Sequence, residues 1–176
     1  MRSRFLPEGR LLHTPENEAA CASRDGLRRA MEEGTVLEGV AQLCDGAHNL
    51  LVSVGPFTGF LPREEAALGI AEGTTREIAI LSRVGKPVCF QITALEESEG
   101  VLRPRLSRRR AQQAALDAML AGLHPGCILP AVVTHLESFG AFVDIGCGVP
   151  SLIGIENISV SRIPVSYTHL TLPTIA

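Results

Sequence analysis

The chain lacks the motifs by which most enzyme classes are recognised. It has no glycine-rich dinucleotide or phosphate loop, no His-Glu-x-x-His metal motif and no nucleophile elbow. His124 and His135 lie near the start of the second β-unit without a matching pattern of carboxylates or cysteines, and we interpret both as surface residues. The sequence therefore predicts a protein that is not an enzyme and that needs no cofactor or metal.

Paired cysteines and long apolar runs are also missing. The 5 cysteines include no Cys-x-x-Cys pair, which argues against a disulfide framework or zinc site and favours a reducing cytoplasm. No apolar run approaches the roughly 20 residues that span a bilayer. The charged first residues are not followed by the apolar core of a signal peptide. We expect a cytoplasmic protein with no membrane partner.

The chain lacks a net positive charge, but several of its basic residues are clustered. The formal net charge is −3, and Lys86 is the only lysine among 16 basic residues. Arginine can pair with phosphate through two hydrogen bonds and can stack on bases. Abundant arginine is equally typical of a GC-rich genome. One cluster occupies a short stretch of the chain: Arg103, Arg105, Arg108, Arg109 and Arg110. It indicates either nucleic-acid contact or the solvated start of a helix.

What the chain does contain is a repeated β-pattern. Residues 34–40 (GTVLEGV) lead to 51–55 (LVSVG), and residues 126–132 (GCILPAV) lead to 142–146 (FVDIG). The two copies lie about 90 residues apart, and repetition at such a spacing indicates duplication of one small structural unit.

The first copy predicts a complete small barrel. Strand signals fall at residues 35–42, 50–54, 60–62, 87–95 and 100–106. Short strands with a helical or irregular insert between the third and fourth fit a Greek-key barrel, most commonly the OB-fold. The predicted fold class is therefore mainly β, with tandem five-stranded OB-fold barrels joined by an α-helix.

Helices are predicted on both sides of this barrel. Before it, Asp25 is taken as the N-cap of a short helix and Gly34 as the residue that ends it. After it, an alanine-rich helix runs over about 108–123, closed by Gly122 and Pro125. We interpret this second helix as a spacer, because its apolar face is mostly alanine. The alternative is a helix buried inside one larger domain.

The second copy stops early. Its strands are predicted at 127–135, 141–145 and 151–155, and the last residues, 166–176, read SYTHLTLPTIA. That ending is free of charge and looks like translated sequencing-adapter sequence. We expect an incomplete second barrel, open at its edges and prone to disorder or aggregation. The predicted domains are a leader (1–33), a first repeat (34–107), a linker helix (108–124), a truncated second repeat (125–163) and a tail that is not native (164–176).

Aromatic side chains mark one outward strand face of the second copy. If Ala141 and Val143 point to the core, Phe142 and Asp144 point outward, because successive side chains alternate. Phe139 can lie beside Phe142. Exposed rings serve as stacking platforms for unpaired bases. The alternative is that a loop or a partner domain covers them.

The first copy has no aromatic side chain at the positions equivalent to Phe139 and Phe142. Leu51 stands where the second copy has Phe142, and His48 stands near the place of Phe139. Phe60 follows the next turn and fits a core position at least as well as a surface one. Arg63 and Lys86 could contact phosphate or could simply be solvated.

The runs at 126–129, 138–146, 151–153 and 158–159 resemble the RNA-binding repeat of the ribosomal protein S1 family. Residues 59–64 and 106–111 are similar to the third strand and the end of the same repeat. The resemblance covers about 34–163 and is strongest to the shorter, multi-repeat homologues of Gram-positive bacteria such as Clostridia. It implies tandem five-stranded OB-fold barrels that bind single-stranded RNA with little sequence preference.

The family's site residues carry over only in part. Phe139 and Phe142 match its two ring positions, whereas Gly154 stands where the family often has a histidine. Arg162 is the nearest match to the basic residues that follow later in the repeat. In the first copy neither ring position is aromatic, which resembles divergent repeats that serve docking or spacing.

The predicted function is the binding of single-stranded RNA, including mRNA, during translation, with the small ribosomal subunit as a further partner. The candidate RNA-binding residues are Phe139, Phe142, Arg162, Arg108, Arg109, Arg110, His48, Arg63 and Lys86. The alternatives are an accessory RNA-binding domain of an RNA-processing enzyme, such as a polynucleotide phosphorylase, and a protein-docking module without an RNA role.

Overall fold

The computed structural model describes residues 5–158, so Arg162 and the tail at 164–176 lie outside the described part. The helices are α1 (Pro15–Cys21), α2 (Arg24–Glu33), α3 (Ile78–Leu81) and α4 (Arg108–Gly122). The strands are β1 (Leu37–Cys44), β2 (Leu50–Val54), β3 (Phe57–Leu61), β4 (Pro87–Ser98), β5 (Val101–Ser107), β6 (Val132–Glu137), β7 (Gly140–Asp144) and β8 (Pro150–Gly154). The described chain is therefore mainly β.

Strands β1 to β5 close into a barrel in the order β1-β2-β3-β5-β4. All neighbours are antiparallel except β3 and β5, which run parallel with Phe60 opposite Arg105. Alternate residues point inward, and Leu50, Val52 and Leu61 are fully buried around Phe90. This order is consistent with the predicted OB-fold. All five strands lie where the sequence indicated, although β3 begins at Phe57, ahead of the expected 60–62.

Strands β6, β7 and β8 form a separate three-stranded antiparallel sheet. The expected first strand at 127–135 was too long at its start, because residues 127–131 are not in a strand. Gly126 has a positive φ of 93°, and Pro130 has no backbone N–H to donate to a ladder. Because of both features, β-strand pairing begins only at Val132.

The leader contains two helices rather than one. In α2 the N-cap is Ser23, whose Oγ accepts a hydrogen bond from the Gly26 N–H at 3.1 Å. The prediction of Asp25 as the N-cap was wrong, since Asp25 lies inside the first turn. Gly34 ends the helix in the left-handed conformation, as expected, with φ 62°.

Helix α4 is packed on the barrel and is not a free spacer. Ala111, Ala115 and Met119 are buried against Cys89 of β4 and against Cys147 in the loop after β7. Alanine side chains were the reason for predicting a spacer. Their small size instead lets the helix backbone approach the barrel closely. The barrel and the second sheet thus share an apolar cluster around α4, separate from the interior of the barrel.

Candidate functional site

Three rings gather on the outward face of the β6–β7 hairpin. The Phe142 ring lies nearly parallel to the His135 ring, with centroids 6.3 Å apart and an interplanar angle of 28°. Phe139 meets Phe142 edge to face, with centroids 6.2 Å apart. We call His135, Phe139 and Phe142 the aromatic cluster. Phe142 is half-buried, whereas Phe139 is 53% exposed, so the cluster is open to solvent.

The hairpin itself sets this arrangement. Glu137 pairs with Gly140, so Ser138 and Phe139 form a two-residue turn that lifts the Phe139 ring above the sheet. Ala141 and Val143 point inward and are buried, which turns Phe142 outward as the sequence predicted. Gly140 is required because β8 passes close by: a Cβ there would lie 2.3 Å from the carbonyl oxygen of Ile153.

His135 is the site residue that sequence reasoning missed. It lies opposite Phe142 across the hairpin, and its Nε2 lies 2.7 Å from Glu137 Oε1. Counting back from a two-residue turn at 138–139 would have placed it there. Alternation counted from the start of β6 would place His135 on the inward face instead, because the register shifts between Val133 and His135.

Strand β8 extends the same face. Leu152 pairs with Phe142 from the other side and is 48% exposed. A half-buried ring thus lies between a histidine on β6 and a leucine on β8. The result is a shallow, largely apolar platform with an imidazole at one edge.

Asp144 is buried, whereas the sequence predicted that it would point outward beside Phe142. It is 4% exposed, and its Oδ2 accepts a hydrogen bond from the Glu8 N–H at 2.8 Å. Its Oδ1 accepts from the N–H groups of Gly146 and Gly148. The strand ends at Asp144, and the loop and the leader close over it. Burial raises the pKa of Asp144 above the usual value, although these hydrogen bonds oppose the shift.

Arg108 is buried too, so the structure removes it from the predicted phosphate contacts. Its Nε and Nη2 donate to the two carboxylate oxygens of Glu8, at 2.6 and 2.9 Å. Its Nη1 donates to the Ala66 carbonyl at 3.2 Å. Burial acts to raise the pKa of Glu8, but Arg108, the Cys89 N–H and Arg83 together hold that pKa below its usual value. Arg108 stabilises the fold.

Three other predicted basic residues already have acidic partners. Arg109 pairs with Glu72. Arg63 donates from Nε to Glu77 Oε1 at 2.8 Å. His48 Nδ1 lies 3.0 Å from Glu77 Oε2. These groups are partly exposed, so each contact with a phosphate would compete with an existing ion pair.

Within residues 5–158, the remaining predicted basic positions are Arg110 and Lys86. Both are exposed, Arg110 in the first turn of α4 and Lys86 just before β4. Lys86 lies with Arg83 along a cleft of about 240 Å³ that also borders Thr134 of β6. The structure therefore does not gather the predicted basic residues around the aromatic cluster.

Other kinds of site are absent from the described residues. Within 5–158 no group of three or more His, Cys, Asp or Glu side chains is placed to hold a metal ion. No helix in that range has the length and apolar character needed to cross a membrane.

Comparison with known proteins points to one kind of relative. The chain is 27% identical over 143 residues to small ribosomal subunit protein bS1 of Neisseria meningitidis, covering 78% of this chain and 23% of the relative. It is 30% identical over 131 residues to small ribosomal subunit protein bS1 of Leuconostoc lactis, covering 74% of this chain and 29% of the relative. The chain thus spans about a quarter of the length of these curated relatives.

No protein-family model matches the chain. Among solved structures, the solution structure of GSP13 from Bacillus subtilis matches with 22% identity and a TM-score of 0.35. That match covers 55% of this chain and 75% of the other.

Proposed function

We infer that this chain, which belongs to the bacterial ribosomal protein S1 family, binds single-stranded RNA on the outward face of β6, β7 and β8. The observation that carries the proposal is the solvent-open aromatic cluster, in which Phe142 lies between His135 and the exposed Phe139. The RNA-binding role predicted from the sequence rests on the same two phenylalanines, and the structure adds His135.

The geometry suits unpaired bases better than a duplex. Rings on a sheet can stack on the flat faces of splayed bases, at roughly 1–3 kcal/mol per base and with little dependence on sequence. Bases inside an A-form duplex are stacked on one another and do not offer these faces. Since few basic residues adjoin the cluster, we expect stacking to supply much of the affinity.

The biological setting follows from the relatives. Both are named as proteins of the small ribosomal subunit. We extend that setting to this chain as part of the proposal: a cytoplasmic protein that holds mRNA during translation in association with the small ribosomal subunit.

The test is the affinity for a fluorescein-labelled 12-mer of uridine, measured by fluorescence anisotropy. Phe142→Ala should raise the Kd roughly 5- to 150-fold, the range that the loss of one stacked base allows. Phe142→Tyr, which keeps a ring, should stay close to the unsubstituted chain. Ile128→Ala is the matched control, because Ile128 is 80% exposed and lies outside the sheet.

Two further readouts separate stacking from non-specific attraction. Binding should weaken as salt rises, and a 12-bp RNA duplex should bind more weakly than the single strand. If Phe142→Ala and Ile128→Ala bound oligouridine as tightly as the unsubstituted chain, the aromatic cluster would not be the site. If the unsubstituted chain did not bind at all, a protein-docking role would replace the proposal.

A further inference from the structure

Two buried thiols from distant parts of the chain meet in the apolar cluster around α4. Cys89 lies in β4 of the barrel, Cys147 lies in the loop after β7, and both are fully buried. The side chain of Cys147 is in hydrogen-bonding contact with that of Cys89. The two residues are far apart in sequence and belong to no Cys-x-x-Cys motif, so only the fold brings them together.

The two thiols are attached to backbones of unequal rigidity. Cys89 is paired with Glu38 in the ladder between β4 and β1, and its N–H donates to Glu8 Oε1 at 3.1 Å. Cys147 lies in a turn with a left-handed backbone, φ 52°, and the glycines on both sides of it also have positive φ. A disulfide needs Cβ atoms about 3.5–4.5 Å apart. The glycine-flanked turn can adjust to that geometry while the barrel strand stays in place.

The leader covers this pair of thiols. The Cys147 N–H donates to the Leu6 carbonyl at 2.8 Å. Further along the leader, a carboxylate oxygen of Glu38 accepts a hydrogen bond from the Leu11 N–H at 2.8 Å. These contacts hold the leader against both the second sheet and the barrel. Opening of residues 5–12 would therefore expose Cys147 to solvent while the thiol of β4 stayed in the barrel.

In the closed structure Cys89 is protected from oxidation. Its thiol donates a hydrogen bond to Glu38 Oε1 at 3.6 Å. The Cys147 thiol, burial and the carboxylates of Glu8 and Glu38 raise the pKa of Cys89 well above its usual value. Because the thiolate is the reactive form of cysteine, the pair is inert until the leader opens. The same hydrogen bond offers the Cys89 proton an acceptor in Glu38.

We propose that Cys89 and Cys147 form a reversible disulfide when a peroxide meets the chain with its leader open, and that this bond locks the second sheet to the barrel. The bond would join β4 directly to the loop after β7. Disulfides in cytoplasmic proteins are typically transient and redox-sensing, which fits a pair that is reduced and covered at rest. The proposal does not depend on RNA binding.

The reaction balances with hydrogen peroxide as the oxidant. The Cys147 thiolate attacks one peroxide oxygen, an S–O bond forms, the O–O bond breaks, and the leaving hydroxide takes up the proton that Cys147 lost. The Cys89 sulfur then attacks the sulfur of the Cys147 sulfenic acid. An S–S bond forms, the S–O bond breaks, and the leaving hydroxide receives the Cys89 proton through Glu38. Two thiols thus lose two hydrogens, and one peroxide becomes two waters. A dithiol reverses the change by thiol–disulfide exchange.

Mapping of the disulfide on the full chain tests the proposal. The native chain is treated with hydrogen peroxide, the remaining thiols are blocked with N-ethylmaleimide, and the peptides are analysed by mass spectrometry without reductant. We expect a peptide linked through Cys89 and Cys147 that disappears after treatment with dithiothreitol. Cys127 is exposed, so its oxidation shows that the peroxide acted. Oxidation of Cys127 without the linked peptide would overturn the proposal, as would a linked peptide that forms only in urea.

The cover that the leader provides has its own readout. Asn17 Nδ2 donates to the Glu38 carbonyl at 3.0 Å, and Asn17 Oδ1 accepts from the Glu38 N–H at 2.8 Å. Asn17→Ala removes both bonds and should loosen the leader, so the linked peptide should form several-fold faster. Glu16→Gln is the matched control, because Glu16 is exposed on the same helix, and it should leave the rate unchanged. Equal rates in Asn17→Ala and the unsubstituted chain would overturn the leader as the cover.

Stability supplies the last measurement and needs no variant. A disulfide between Cys89 and Cys147 closes a loop that contains α4, β6 and β7, so the oxidised chain should unfold at a midpoint roughly 5–10 °C higher. Reduction should return the midpoint to its starting value. A linked chain with an unchanged or lower midpoint would overturn the locking role. None of these readouts uses RNA, so failure of this proposal leaves the proposed function standing, and absence of RNA binding leaves this proposal standing.

Discussion

At the scale of single residues, the most consequential contact is the buried pair between Glu8 and Arg108. Each side chain is 6% exposed, and the guanidinium meets both carboxylate oxygens. Glu8→Gln would leave Arg108 buried without its counter-charge. Breaking such a pair from one side costs roughly 3–5 kcal/mol. Urea unfolding at pH 7 should show a loss of this size.

The matched control is Glu72→Gln, which removes the acidic partner of Arg109 at a partly exposed pair. Pairs of this kind contribute roughly 0–1 kcal/mol, so the control should unfold close to the unsubstituted chain. Equal, small losses in both variants would mean that the Glu8–Arg108 pair does not stabilise the fold.

The pH dependence of stability gives a second prediction at the same residue. Arg108 and the hydrogen bonds hold the pKa of Glu8 below its usual value despite burial, so the Glu8 contribution is present above about pH 4.5 and is lost as the pH falls through the lowered pKa. Burial raises the pKa values of Glu38 and Asp144, which act in the opposite direction.

The measurement is therefore a difference between two proteins. Glu38 and Asp144 are present in both the unsubstituted chain and Glu8→Gln, so subtracting the two pH profiles of the unfolding free energy leaves the ionisation of Glu8 together with the effect of its charge on the pKa of Asp144. The gap should be widest near neutral pH and should narrow in acid. A gap that stayed constant from pH 7 to pH 3 would contradict the lowered pKa.

Residue types alone could not reveal which arginines are exposed and without an acidic partner. The sequence placed Arg103, Arg108 and Arg109 in one cluster, and the structure separates them into an exposed, a buried and a paired side chain. Burial of Arg108 depends on Glu8, which is distant in sequence. The local pattern contains no sign of that partner.

At the scale of elements, the start of α2 offers a direct test of helix capping. Ser23→Ala removes the acceptor for the Gly26 N–H and should cost about 1 kcal/mol, because nothing else replaces it. Ser23→Gly should cost only a few tenths of that value, since glycine is a tolerated N-cap. Thermal and urea unfolding of both variants measure these losses.

Asp25→Asn serves as the control for this prediction. Asp25 lies in the first turn, where its charge interacts with the helix dipole, and its exposed side chain makes no cap hydrogen bond. We expect a loss below that of Ser23→Ala. The reverse order would return the capping role to Asp25, where the sequence had placed it.

Elements were predicted well where the information is local and less well where it depends on register. Alternation and glycines were enough to place β2 and β7, and alanine content was enough to place α4. The partnership of His135 with Phe142 depends on the two-residue turn at 138–139, which sets the register of β6 against β7. The outward position of Phe60 depends on the packing at Gly59. Neither feature is visible in a strand considered by itself.

At the scale of the whole molecule, the barrel and the second sheet are joined by a shared core around α4, the helix for which the sequence favoured a spacer role over burial in one larger domain. Met119 of α4 packs with Cys89 of β4 and with Cys147 after β7. The leader adds a backbone contact, since the Cys147 N–H donates to the Leu6 carbonyl at 2.8 Å. The sequence predicted disorder or aggregation of the second unit from its open strand edges, and that expectation stays a prediction; α4 and the leader contact this unit at the loop after β7.

Hydrogen exchange can measure this coupling through the Cys147 amide. In the unsubstituted chain we expect that amide to be protected to nearly the same free energy as the amides of β4, because the two regions should open together. Met119→Ala should remove roughly 2–5 kcal/mol of stability, since Met119 is 7% exposed and its loss leaves a cavity. The protection of Cys147 should then fall at least as far as that of β4.

Leu120→Ala is the control for this experiment, because Leu120 is the next residue of the same helix and is 74% exposed. It should leave both exchange and the free energy of unfolding unchanged. If Met119→Ala lowered the protection of β4 but not that of Cys147, the second sheet would be held independently of α4. The RNA-binding face proposed on β6, β7 and β8 would then move separately from the barrel. If both fell together, a single packed core would hold the proposed RNA-binding face at a fixed distance from the barrel, because Met119 contacts both Cys89 and Cys147 in one cluster.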